Sequence, residues 1–189
     1  MVIIPTALVI FFYPKWELLK ASWPLMAAAL WIFTGHILSG FSYWLTSLSL
    51  KKGFSLFRNS FLAYRKFRSI VGLQSALLVS LAEEMVFRYF LLTWLVPFLN
   101  SSLLATLGVS LLFTLFHFHH GFSLKSLFRY ADFFILSIIL CLLTLATISI
   151  YPAIFIHATR NYLLKVMFVR KDVYQNMVKG ETAKKQVEQ

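Results

Sequence analysis

Charge is scarce in this chain: 13% of its 189 residues are Asp, Glu, Lys or Arg, against about a quarter in an ordinary soluble domain. A soluble globular domain is excluded on that ground, because the solvent-facing side chains to cover one are missing. Cysteine is scarcer still. Cys141 stands alone, so no internal disulfide, cysteine-rich zinc site or iron–sulfur site can be built. Neither a Gly/Ser nor a Pro-rich linker divides the chain, and no period of 20 to 50 residues recurs in it, which argues against repeats and separate domains. Acids number only seven against 18 Lys and Arg, giving a formal net charge of +11. The basic residues flank apolar runs instead of forming a stripe with stacking aromatics, so nucleic acid is not an expected partner and anionic lipid headgroups are.

Apolar residues are what fill the space: 59% of the chain, with 20 Phe and five Trp and a mean hydropathy of +0.75. A helix needs about 20 apolar residues to cross roughly 30 Å of hydrocarbon. Runs at 23–50, 70–100, 101–118, 133–150 and 151–169 qualify, and 2–13 is a shorter run of about 18 Å of helix. These predict an all-α, polytopic transmembrane bundle of about five to six spans. No charge precedes the first run, so it reads as a retained anchor and not as a cleaved signal.

Loop charge sets the expected orientation, since cytoplasmic loops collect Lys and Arg. Segments 51–69, 119–131 and 170–189, with the helix end at Lys165, hold fourteen basic residues, whereas only Lys15 and Lys20 fall on the other side. The C-terminus is therefore expected in the cytoplasm. Within 51–69, Phe54, Phe57, Phe61, Tyr64 and Phe67 recur every three or four residues among the basics, the pattern of an amphipathic helix lying in the interface. Three regions result: anchor spans plus basic segment at 1–69, a helical core at 70–168, and a polar basic tail at 169–189.

The core carries charges that a bilayer penalises by roughly 2.5 to 3.5 kcal/mol each on insertion scales, which makes them functional candidates. Glu83 and Glu84 point about 100° apart on a helix. Arg88 stands at i+4 from Glu84, the spacing of an intrahelical ion pair, which leaves Glu83 freer. His117 closes the next span, with His119 and His120 just beyond it. His157 and Asn161 share one face of the last apolar helix, and both need hydrogen-bond partners in lipid. If these groups meet, they do so in a cavity opening toward the cytoplasmic half of the membrane.

Read together, Glu83-Glu84-Met85-Val86-Phe87-Arg88 is E-E-x-x-x-R, Phe113 to His117 is F-x-x-x-H, and His157-Ala158-Thr159-Arg160-Asn161 is H-x-x-x-N. In this order on separate apolar helices, they resemble the CAAX-protease and bacteriocin-processing (CPBP, or Abi) intramembrane proteases, which include the type II CAAX prenyl endopeptidases. The resemblance covers about residues 70–168. It implies an intramembrane endopeptidase of a bacterial inner (plasma) membrane, acting on a membrane-associated protein or peptide. It also implies a catalytic set of Glu83, Glu84, His117, His157 and Asn161: Glu83 with His117 would activate a water, His157 and Asn161 would donate to the oxyanion, and Glu84 would hold the first helix in register with Arg88, which supports the set together with Phe113. No H-E-x-x-H is present, and no obligatory metal is expected; zinc held by Glu83, His117 and His157 is the alternative. Two positions depart from the family pattern. Tyr89 stands where many members have a small residue, and Arg160 adds a charge that contacts an acidic substrate group or snorkels to the headgroups. Two other classes remain open: a non-catalytic peptide-binding immunity factor or chaperone, and a small proton-coupled transporter.

Overall fold

The computed structural model describes residues 25–47, 54, 70–118 and 123–165, and all regular structure among them is helical. The apolar run at 2–13, most of the basic aromatic segment 51–69, His119, His120 and the tail from Lys171 lie outside the described residues. The helices are α1 (Leu25–Ser47), α2 (Ile70–Glu84), a stretch of wider π-type turns (Met85–Leu92), α3 (Thr93–Leu99), α4 (Ser102–Phe116), α5 (Leu124–Thr147) and α6 (residues 151–165). At the junctions Glu84 and Leu92 keep right-handed helical dihedrals, so α2, the π stretch and α3 form one continuous rod.

Local chemistry explains where these helices stop. Asn100 adopts φ 48°, a left-handed conformation that asparagine tolerates, and ends the rod. Ser101 then accepts the Leu104 N–H at 3.2 Å and starts α4 at once, folding it back beside α3. Ser123 and Ser126 cap each other's backbone N–H groups and start α5 at Leu124. The segment expected as a loop over 119–131 is thus helical from Leu124, and Arg129 and Asp132 are helix residues. The capping pair supplies the reason, since a serine at this position satisfies N–H groups that a helix end leaves orphaned.

Helix α6 is the centre of the bundle. Ile150 and Ile154 meet Met85 and Tyr89, Ala153 and Ile156 meet Leu136 and Leu140, and Tyr162 and Leu163 meet Ala76. Helix α5 packs along both α1 and α4. On α4 the inner face of Ala105, Val109 and Phe113 is fully buried, yet Leu103, Leu104, Leu107, Leu111 and Leu115 on its other side are exposed. A helix apolar on all sides belongs in a core or in lipid, and here all six of its leucines, Leu112 included, are exposed among the described residues. By length and composition, Ser126–Thr147 is the one helix among the described residues able to cross a membrane, and Ser102–Phe116 is apolar but shorter. Of the five long runs of the sequence, one yields a helix that passes this measure within the described residues. Inward-facing His36, Ser39 and Ser42 dilute α1, as Glu83, Glu84 and Arg88 dilute the α2 rod.

One contact ties α1 to the centre. A Cβ on Gly35 would stand 2.7 Å from Thr159 Cβ and 3.0 Å from the Ile156 carbonyl oxygen, so only glycine lets the two helices approach so closely. Gly35→Ala is expected to lower stability by about 1–3 kcal/mol, the usual range for overpacking. Thermal unfolding in mild detergent reads this directly; an unchanged midpoint would mean that α1 does not touch α6 at this depth.

Candidate active site

The deepest charged group is Arg88, fully buried with Glu84. Its Nη1 donates to Glu84 Oε1 at 3.1 Å, and its Nη2 donates to Ser137 Oγ at 2.8 Å, which joins the rod to α5. The guanidinium also stands 4.6 Å from the centre of the Phe113 ring, where the negative face of the π system favours a cation. Glu84 Oε1 accepts a second bond, from His157 Nδ1–H at 2.7 Å. One carboxylate oxygen thus couples the rod to α6 and fixes the His157 ring, leaving Nε2 turned toward Glu83.

Glu83 sits where α2 gives way to the π-type turns, an irregularity often found at functional sites. Its Oε2 is buried without a hydrogen-bond partner among the described residues and lies 3.5 Å from His157 Nε2 and 3.8 Å from His117 Nε2. His117 is the residue at which α4 ends, and its Nδ1–H donates to the Phe113 carbonyl at 2.8 Å. That bond commits one ring nitrogen and aims the other at Glu83. Phe113 forms the wall behind the cluster, with ring centroids 4.4 Å from His117 and 5.8 Å from His157. Phe133 stacks on the other side of His117 at 4.6 Å and an interplanar angle of 24°. Residues from the rod, α4 and α6 thus converge on one carboxylate oxygen.

Asn161 stands one turn beyond His157 and does not bond to this cluster. Its Nδ2 donates to Ser80 Oγ at 3.3 Å, and its Oδ1 accepts from Arg160 Nη1 at 3.3 Å. Arg160 corrects the sequence expectation, because it neither snorkels nor waits for a substrate acid. It is buried and ion-paired with Asp132, and its Nε donates to Ser42 Oγ at 2.9 Å. Ser42 in turn donates to Asp132 Oδ1 at 2.7 Å. Tyr89 is fully buried against Met85, Ile150 and Ile154, so the departure from a small residue is absorbed in packing between the rod and α6.

A cavity of about 470 Å³ opens beside these groups, walled by Ser42, His117, Arg129, Asp132, Arg160 and Asn161 among others. It reaches the cluster at His117. Sequence reasoning missed Ser42, Ser80, Asp132 and Ser137 as members of the site. For Asp132 a signal existed: it is a lone acid between the basic Arg129 and an apolar run. The three serines carried none.

Among the described residues, no group of three or more His, Cys, Asp and Glu side chains is gathered so as to hold a metal ion. The donors nearest to such a set are Glu83, His117 and His157.

An acid with a buried carboxylate oxygen thus stands beside two histidines, next to a cavity in a largely apolar helical bundle. The chain matches the family described as type II CAAX prenyl endopeptidase Rce1-like over residues 65–163, just over half of its length, and it belongs to that family. The family is one of membrane proteases, and a protein or peptide lying near the membrane is the implied substrate. The chain matches no curated protein and no solved structure.

Proposed function

We propose that this protein is an intramembrane endopeptidase that cleaves a peptide bond of a membrane-associated protein or peptide with a water activated by Glu83. The observation that carries the reading is the unpartnered Glu83 Oε2, buried and faced by two imidazole Nε2 atoms at 3.5 and 3.8 Å. With both Nδ1–H groups committed elsewhere, neutral imidazoles present lone pairs to a carboxylate that also only accepts. A donor must stand among them. A water about 2.8 Å from Glu83 and His117 has two O–H bonds to offer and fits that triangle.

In the proposed step the water oxygen bonds to the scissile carbonyl carbon, and its proton passes to Glu83 with His117 orienting the lone pair. The oxyanion is then met by Asn161 Nδ2–H, released from its long bond to Ser80, and by His157 when Nε2 also carries a proton. Collapse breaks the C–N bond, and the proton held by Glu83 goes to the leaving amine. Glu84, Arg88 and Ser137 hold His157 in place throughout.

The exposed leucines of α4 support a bundle whose outer faces meet lipid, and we read the chain as polytopic, with five to six spans. The basic flanks support a cytoplasmic C-terminus and contact with anionic headgroups, in a bacterial plasma membrane.

The reaction as drawn uses no metal. The full chain in proteoliposomes should release the C-terminal peptide from a farnesylated peptide ending in a CAAX sequence, and thorough chelation should leave the rate unchanged. Mass spectrometry of the products identifies the bond cut. Activity lost on chelation and restored by zinc would replace the carboxylate-base reading with a metal site on Glu83, His117 and His157.

A further inference from the structure

The cavity wall holds three formal charges, and two of them cancel. Arg160 is neutralised by Asp132. Arg129, one turn before Asp132 on α5, is half-buried on the same wall, and no hydrogen bond or ion pair among the described residues engages it. A guanidinium partly shielded from water on a cavity wall gains from an anion there, and its planar fork of N–H donors matches a carboxylate. The groups around it come from three helices, with Ser42 and Thr46 on α1, Asp132 on α5 and Asn161 on α6. Arg129 therefore faces the space that leads to His117 and not only the outer belt of the bundle.

We propose that Arg129 is a specificity-determining residue that receives a carboxylate of the substrate chain, supplied by its free C-terminus or by an acidic side chain near the scissile bond. This rests on the peptidase reading above. Substrate binding then completes the charge balance of the cavity and sets how far the chain slides past His117. A paired carboxylate fixes one end of the peptide, and the scissile carbonyl is placed relative to that anchor.

The test uses the full chain in nanodiscs with three farnesylated probe peptides: one with a free C-terminal carboxylate, its C-terminal amide, and that amide with one Asp in the last three residues. The readout is the ratio of kcat/KM for a carboxylate-bearing probe to that for the plain amide, a ratio that a partly misfolded preparation does not alter. In the wild type it should favour the carboxylate by roughly tenfold to a hundredfold, the usual worth of a hydrogen bond to a charged group. Arg129→Ala should bring it close to one, and Arg129→Lys should retain part of it. Whichever of the acid and the Asp-bearing amide shows the preference identifies the source of the carboxylate.

An unchanged ratio in Arg129→Ala overturns the proposal. So does an unchanged ratio accompanied by a dependence of activity on anionic lipid that Arg129→Ala removes, which would assign the residue to lipid headgroups. If no probe is cut by the wild type, the peptidase reading fails for these substrates. Fluorescence anisotropy of the same probes on the Glu83→Ala protein then measures the preference as affinity. Equal affinity for acid and amide, or no binding at all, overturns the proposal there too.

Discussion

Glu83→Gln is expected to reduce cleavage by about a hundredfold to ten-thousandfold, the range that a positioned general base contributes. The substitution is close to isosteric, and it replaces an anionic acceptor that can take a proton with a neutral amide that cannot. Glu83 Oε2 makes no hydrogen bond among the described residues, and its contacts to the two imidazoles are long at 3.5 and 3.8 Å, so the fold leans on it less than on Glu84. Detergent extraction, helical content by circular dichroism and the unfolding midpoint should accordingly match the wild type. The contrast with Glu84 is the control. Its Oε1 accepts from both Arg88 and His157, so substitution there disturbs the bundle along with the chemistry. A Glu83→Gln protein that still cuts at the wild-type rate would remove the carboxylate from the reaction. A binding protein or chaperone, by comparison, should keep its protective effect in this variant.

Short-range geometry was legible in the sequence because helical spacing translates directly into faces. Glu84 and Arg88 at i and i+4 bond to one another, and Phe113 and His117 at the same spacing bring their rings into contact at a tilt of 42°. Long-range pairing left no such mark. Ser42 meets Asp132 across 90 residues and Arg160 across 118, and a serine in an apolar helix looks alike whether it bonds to its own backbone or to a distant acid. Asp132 escapes notice for a local reason, since it falls just outside the apolar run that opens at Phe133. The Ser123 capping pair had already begun the helix at Leu124. Span counting suffered from the same uniformity. Where nearly every residue is apolar, hydropathy reports the run but not which residues face protein. The inward polar groups that make the site also lower the apparent fitness of its helices to cross lipid. The widened turns from Met85 to Leu92 follow the acid pair without any residue type that announces them.

Asp132→Ala is expected to destabilise the protein by about 3–5 kcal/mol, because it strands a buried guanidinium whose charge nothing else balances. Arg160 is almost wholly enclosed, and its remaining acceptors, Ser42 Oγ and Asn161 Oδ1, are neutral. The double substitution Asp132→Ala with Arg160→Met should recover most of that loss, since a buried ion pair replaced by apolar groups of similar size is often neutral in stability. Activity should not recover with it. Arg160 donates to the carbonyl oxygen of the Asn161 amide, and that bond selects which end of the carboxamide faces Ser80 and which faces away. Without it the amide is free to rotate, and the N–H proposed to meet the oxyanion is no longer held in position. Guanidinium unfolding in detergent micelles and steady-state cleavage, measured on the same preparations, separate the two effects. If Asp132→Ala unfolds with the wild type, the pair is not buried as described. If the double variant regains both stability and rate, the pair orients nothing. Stability regained with the rate still depressed would show that Asp132 acts on the reaction through Arg160 and Asn161, as an arrangement that serves orientation and not folding.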